Sequence, residues 1–341
     1  MARTKDETLM EKALTEARRG VGSVSPNPAV GAVLVRNGRV ISHGYHRASG
    51  QPHAEIECLS AAPRGSFRLA TLYVTLEPCS TTRRTPPCTE AIIKAGVGRV
   101  VIGANDPNPA HSGRGLQRLR EAGTKVTTGV LEAECCRLNE AFNKWIVTGL
   151  PFVIAKCGMS LDGRLTRRPG KDRWMTSPAS RRAAMQIRAQ VDAILVGAET
   201  VRQDNPRLTI RGLRSKKQPW RVVLTRKNQL PPEAFLFTDR FADRTLIYRK
   251  KKLSKVLEDL GRREVTSVLI EGGGEVLGEA FDAGLVDQVQ FFVAPLLTGG
   301  PVLAVAGKGA NSTASGTHLA EMRYEKIGRD LRVVGYPKRP Q

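Results

Sequence analysis

Three short segments, Pro52-His53-Ala54-Glu55, Glu77-Pro78-Cys79 and Pro86-Pro87-Cys88, constrain the fold more than anything else in this chain. An imidazole and two thiols are ligand types that zinc takes, and they serve one ion only if the fold brings three separated segments to one point. The flanking residues say how. Ala70 to Leu76 reads as a buried strand that Glu77-Pro78 ends, so Cys79 falls at a strand's C-terminal end. Pro86-Pro87 closes the intervening loop, and Thr89 to Ala95 has helical character that Gly96 stops. Cys88 then stands near a helix N-terminus, where the dipole and free N–H groups favour a thiolate. Pro52 suits a helix start, with His53 and Glu55 in the first turn before Ile56 to Ala62.

Three protein ligands leave the fourth position of a zinc ion to water, whose pKa falls from about 15.7 to roughly 7. A Glu two residues from the His, not itself a ligand, shuttles the proton between water, a ring nitrogen and a departing amine. His53, Cys79 and Cys88 are therefore candidate zinc ligands and Glu55 the candidate catalytic group of a hydrolytic deamination. Each piece also has a plainer reading. His-x-Glu is common by chance, and two cysteines with eight residues between them can be small buried hydrophobes. A structural zinc site normally takes a fourth protein ligand at tight spacing, and none is evident.

Strands and helices alternate along the rest of the chain. Val30 to Arg36 and Arg39 to His43 bracket Asn37-Gly38, a two-residue hairpin signal. Helical patterns run from Thr8 to Arg19, from Leu116 to Ala122 and from Glu132 to Val147, the last as one amphipathic helix, with strands at Arg99 to Ala104 and Lys125 to Gly129. Gly149-Leu150-Pro151 breaks the pattern, which divides the chain into domains at 1–148 and 149–341. In the second domain Phe152 to Cys157, Ala193 to Val196, Trp220 to Thr225 and Ser267 to Ile270 read as strands, and Ser180 to Ala189 and Glu275 to Ala283 as helices. Between the last strand and helix lies Glu271-Gly272-Gly273-Gly274, a turn of the kind that cradles phosphate, although three glycines alone often make only a tight turn.

The general deaminase pattern has two residues between its cysteines; here the loop is Cys79-Ser-Thr-Thr-Arg-Arg-Thr-Pro-Pro-Cys88. In that longer loop the chain resembles the bifunctional deaminase/reductase family of riboflavin biosynthesis. The likeness extends through Pro26-Asn27-Pro28-Ala29-Val30-Gly31, Asn105-Asp106-Pro107-Asn108-Pro109, Gly113-Arg114-Gly115, Ser160-Leu161-Asp162-Gly163-Arg164, Asp204-Asn205-Pro206-Arg207-Leu208 and Glu271-Gly272-Gly273. It covers nearly the whole chain in the family's order. It implies an α/β chain with an N-terminal cytidine-deaminase-like domain and a C-terminal dihydrofolate-reductase-like domain, using Zn²⁺ and NADPH. The implied first reaction deaminates 2,5-diamino-6-ribosylamino-4(3H)-pyrimidinone 5′-phosphate. The implied second reduces the ribosyl group to ribityl.

The resemblance also assigns residues. Gly158, Trp174, Thr200, Asp204, Gly273 and Gly274 belong to the cofactor side, and Asp172, Arg188, Leu208, Arg211 and Glu271 to the substrate side. Arg188 and Arg211 are expected to hold the phosphate, where a guanidinium fork matches its oxygens. Glu271 is expected to face the sugar, and Lys156 or Asp204 to assist proton movement. Read without the family, each Arg is an ordinary surface charge and Trp174 a core residue. The chain departs from the family at Thr81, Thr82 and Arg83, where His and Gly are usual, and at Asp172, where Ser is common.

Charge supplies the rival reading. The net charge is +22, and residues 1–149 hold 20 basic and 13 acidic side chains against 34 and 19 in the remainder, so the surplus concentrates in the second domain. Such a surface steers anionic ligands or contacts nucleic acid, or is simply a solvated face. A deaminase fold turned to RNA binding or editing is the alternative from another class, and a chain with one working activity is a third. Aromatics are only 5% of residues, and no run interleaves them with Lys and Arg as stacking platforms require, which argues against nucleic acid. Six cysteines in 341 residues make no disulfide framework, and neither a signal core nor a membrane-length apolar run is present, so a cytoplasmic enzyme is expected. The family implies a homodimer.

Overall fold

The computed structural model describes residues 3–63, 65, 67–81, 86–165, 174–213, 217–227 and 229–338, and the chain divides into two compact units, Met1–Gly149 and Leu150–Gln341. In the first unit α1 (Lys5–Arg18) begins at a reciprocal cap: the Thr4 hydroxyl accepts the Glu7 N–H and the Glu7 carboxylate accepts that of Thr4. There follow β1 (Gly31–Arg36), β2 (Arg39–Tyr45), α2 (Ala54–Ser60), β3 (Thr71–Leu76), α3 (Cys88–Ala95), β4 (Arg99–Ala104), α4 (Arg114–Glu121), β5 (Lys125–Thr127), α5 (Glu132–Leu138) and α6 (Glu140–Thr148). Asn37 and Gly38, at φ 50° and 76°, make the tight turn between β1 and β2.

The sheet order is β2-β1-β3-β4-β5, antiparallel on either side of β1 and parallel from β3 to β5. Alternation along the strands makes three layers. Leu34, Leu72, Val74, Val100 and Ile102 pack under α2, α3 and α4 through Cys58, Ile92 and Leu119. Val33, Tyr73 and Val101 face the other way, against Met10 and Leu14 of α1 and Cys135 of α5. The single helix expected over Glu132–Val147 is two. Asn139 interrupts it because its buried side chain serves another segment, accepting from the Ala29 N–H at 2.8 Å and donating to the Ala29 carbonyl at 2.9 Å.

The second unit contains β6 (Phe152–Ser160), α7 (Pro178–Gln190), β7 (Ala193–Gly197), α8 (Ala198–Asp204), β8 (Trp220–Thr225), α9 (Phe235–Thr238), β9 (Thr245–Arg249), α10 (Leu253–Arg262), β10 (Ser267–Glu271), α11 (Gly274–Asp282), β11 (Gln288–Ala294), β12 (Leu319–Ile327) and β13 (Asp330–Pro337). Its sheet runs β12-β13-β11-β6-β10-β7-β8-β9, parallel from β11 to β9 and antiparallel at β12 and β13. Helices α10 and α11 cover one face through Leu257, Leu260 and Leu277, and α7, α8 and α9 the other through Ile187, Val201 and Leu236. In such a sheet, ligands bind beyond the carboxyl ends of the parallel strands. Glu271 is the last residue of β10, and Lys156, midway along β6, is its partner in the register of the two strands.

Candidate active sites

His53 is the N-cap of α2, Cys88 the first residue of α3, and Cys79 follows β3 by three residues. The donor atoms of these three residues lie within 4.8 Å of one another. His53 Nδ1 is 3.3 Å from Cys88 Sγ and 3.6 Å from Cys79 Sγ. The Cys88 N–H points at Cys79 Sγ at 3.4 Å, and the Thr89 N–H and hydroxyl both donate to the Cys79 carbonyl. A hydrogen bond from Cys88, supported by His53, draws the Cys79 thiol well down although burial opposes it. Cys88, as the donor and deeply buried, is pushed well up. The set is one nitrogen and two sulfurs, the donor chemistry of a catalytic zinc site.

Glu55 is 3% exposed on the first turn of α2. Burial, aided by the neighbouring Cys79 charge, lifts its carboxyl to about 7 against the pull of His53. A group that titrates near neutrality can both take and return a proton.

Two supporting residues escaped the sequence reading. His46 is buried, with Nδ1 3.0 Å from the Pro52 carbonyl, Nε2 3.0 Å from the Asn27 side chain, and its ring edge-on to His53. Glu77 is also buried and gathers backbone N–H groups from Asp106, Gly113, Gly115 and Leu116. A carboxylate wedged between a strand end and Pro-Cys was the available signal for Glu77; His46 had none. Thr81 meets His111 at 3.2 Å, whereas Thr82 and Arg83 lie outside the described residues.

In the second unit, Arg188 and Glu271 form a bidentate pair, Nε and Nη2 each 2.6 Å from a carboxylate oxygen, and Arg188 Nη1 donates to the Thr209 carbonyl at 3.1 Å. Burial alone would raise the Glu271 carboxyl; the charge of Arg188, with Lys156 and Arg211 behind it, instead brings it down to about 2. Sequence reasoning offered the Arg188 fork to phosphate and Glu271 to the sugar. The structure engages the fork with Glu271, because both groups are nearly buried and each needs a counter-charge. Arg211 remains on the surface, with Nη1 3.3 Å from the Thr209 hydroxyl.

Gly272 and Gly273 have φ of 108° and 79°, and a Cβ on Gly274 would stand 2.2 Å from the Leu303 carbonyl, so this turn tolerates no side chain at its crest. The Thr200 hydroxyl of α8 faces it, 3.4 Å from where a Gly273 Cβ would be. Gly158 packs against Thr176 in the same way. Trp174 is 52% exposed with the Arg181 guanidinium 5.1 Å from its ring centre, so it is no core residue. Asp204 is exposed at the end of α8, Leu208 is buried at φ 49°, and Asp162 accepts the Thr298 and Gly299 N–H groups. Asp172 lies outside the described residues. A further carboxylate went unforeseen: Asp330, at the start of β13, accepts the Ser177 N–H at 2.7 Å and the Ser180 hydroxyl at 2.5 Å, clamping the N-terminus of α7.

Comparison with known proteins agrees with this division of labour. Residues 3–104 match the cytidine and deoxycytidylate deaminase zinc-binding region, and residues 151–333 match the RibD C-terminal domain. The riboflavin biosynthesis protein RibD of Synechocystis is 40% identical over 97% of this chain and 96% of its own. That of Escherichia coli is 39% identical over 86% and 89%. The structure of Acinetobacter baumannii RibD superposes with a TM-score of 0.90 at 34% identity, over 98% of this chain and 99% of that one. A Thermotoga maritima structure, described as a diaminohydroxyphosphoribosylaminopyrimidine deaminase/5-amino-6-(5-phosphoribosylamino)uracil reductase, gives 0.88 at 34% over 98% and 99%. Two matched domains and full-length relatives lead to one conclusion: the chain belongs to the RibD family of bifunctional riboflavin-biosynthesis deaminase/reductases.

Proposed function

We propose that the first unit deaminates 2,5-diamino-6-ribosylamino-4(3H)-pyrimidinone 5′-phosphate and that the second reduces the ribosyl group of the resulting 5-amino-6-(5-phosphoribosylamino)uracil to ribityl. The observation that carries the reading is the convergence of His53, Cys79 and Cys88 beside a buried Glu55. These three residues hold zinc, which when bound supplies Lewis acidity and lowers the pKa of water to about 7. The Cys88 backbone N–H orients the Cys79 sulfur, and His46 fixes the Pro52 carbonyl that precedes the imidazole. Glu55 takes one proton from water and delivers it to the ring nitrogen, then takes the second from the newly added hydroxyl and delivers it to the departing amine. Water and the aminopyrimidine become the carbonyl compound and ammonia.

For the reductase, NADPH supplies hydride. The bare Gly272-Gly273-Gly274 turn, with Thr200 opposite, admits a phosphate-bearing cofactor at the N-terminus of α11, with Gly158, Trp174 and Asp204 completing its side of the site. Arg211 and Leu208 line the substrate side, while Arg188 fixes the Glu271 carboxylate toward the sugar. The ribosylamino group opens to an imine, hydride adds at C1′ and nitrogen takes a proton, with Lys156 or Asp204 assisting. Positioning of donor and acceptor is the protein's main contribution.

A homodimer and a cytoplasmic location complete the reading. No helix among the described residues is long and apolar enough to cross a membrane, and the described cysteines are free thiols. Product analysis by mass spectrometry tests both activities at once. The zinc-loaded chain is expected to shift the substrate by one mass unit without NADPH and by two more with it. A mass that never changes in either condition refutes the assignment. Light scattering at several concentrations decides the oligomeric state.

A further inference from the structure

Two motifs of the first unit, Asn105-Asp106-Pro107-Asn108-Pro109 and Gly113-Arg114-Gly115, have no place in the zinc constellation. Both converge on Glu77. Its Oε2 accepts the N–H groups of Asp106 at 3.2 Å and Gly113 at 3.0 Å, and its Oε1 those of Gly115 at 2.9 Å and Leu116 at 3.4 Å. The side chain is buried, and its own N–H is held by the Ala104 carbonyl at 2.9 Å. A Cβ on Gly115 would stand 2.2 Å from the Pro78 carbonyl, so the start of α4 is pressed against the residue before Cys79. The loop from Asp106 to Gly113 thereby borders the segment after the zinc ligand, where the Thr81 hydroxyl meets His111 Nδ1. Cys79 itself is anchored separately, through the N–H of Cys88 and both donors of Thr89.

We propose that Glu77 is a positioning residue of the deaminase, one carboxylate that gathers four backbone N–H groups and so sets the 106–113 loop against the metal site without helping to hold the metal. The proposal rests on reading the first unit as a deaminase. A carboxylate suits the task because it accepts in every direction, and charge-assisted bonds to N–H groups are the stronger kind. In Glu77→Gln an amide NH₂ replaces one acceptor and faces two N–H donors. The loop loosens; the candidate ligands Cys79 and Cys88 keep their places.

The test uses the full-length E77Q chain loaded with cobalt or zinc. Amide exchange at Asp106, Gly113, Gly115 and Leu116 is expected to accelerate about tenfold or more, while sheet amides keep their protection. The cobalt–thiolate absorption and the reductase activity should match those of the unaltered chain, and the deaminase KM should rise about tenfold or more with a smaller change in kcat. Gly113→Ala, which strains the loop at φ +77° and leaves the carboxylate in place, should give a weaker version of the same pattern and serves if E77Q does not fold. Unchanged exchange at these amides overturns the proposal. So does loss of the cobalt–thiolate band in both variants, because Glu77 would then support the metal itself. If the unaltered chain does not deaminate, the activity assignment fails, while the exchange result still decides what Glu77 holds.

Discussion

Burial gives Glu55 a property that its place in the sequence does not, a carboxyl titrating near 7. Glu55→Gln keeps the shape and removes the proposed proton shuttle. Its deaminase kcat should fall about 10²- to 10⁴-fold with zinc content and reductase rate unchanged, measured on one preparation. Glu271 shows the opposite shift, from an ordinary 4.5 to about 2. A depressed folded-state value means stability that is complete above about 4.5 and lost as pH falls toward 2. Glu271→Gln should therefore flatten the acid dependence of stability in that window. At neutral pH it should cost about 3–5 kcal/mol, because Arg188 is left buried and unpaired. Denaturant melts across pH read both effects. The pairing itself was hidden in the sequence, where residues 188 and 271 stand far apart and the family resemblance alone gave each a role, as a ligand contact.

Elements with local signals were legible. Asn37-Gly38 announced its hairpin, Gly96 ended α3, and β4 was anticipated at Arg99–Ala104. Pro-His and Pro-Cys segments placed the candidate zinc ligands at a strand end and two helix starts for physical reasons that operate within a few residues. What the sequence hid depends on distant partners. Glu132–Val147 has a continuous helical pattern, and only the Ala29 backbone explains the break at Asn139. The β12–β13 hairpin, mostly exposed along β12, lacks a strong alternation. Asn139→Ala leaves a buried N–H and carbonyl without this partner and should destabilise the first unit by about 1–3 kcal/mol for each group, seen as an earlier thermal transition. Gly274→Ala pushes a methyl group into the Leu303 carbonyl. Its NADPH affinity should drop at least about tenfold by fluorescence titration while deamination is unaffected.

At the scale of the whole molecule, charge and division into units govern behaviour. A chain with net charge +22 attracts a phosphorylated substrate and a dinucleotide over a distance that salt shortens. KM for both should rise as ionic strength increases, with little change in kcat; initial rates from low to moderate salt check this. The candidate zinc ligands all belong to the first unit, so a chelator should silence deamination and spare reduction. Synthesis is ordered as well. His53, Glu55, Cys79 and Cys88 have all been added by residue 88, whereas the α7 N-terminus waits for Asp330, made some 150 residues after the Ser177 and Ser180 it holds. A chain still on the ribosome can therefore assemble the machinery for the first reaction while the second is unfinished, and the order of translation repeats the order of catalysis.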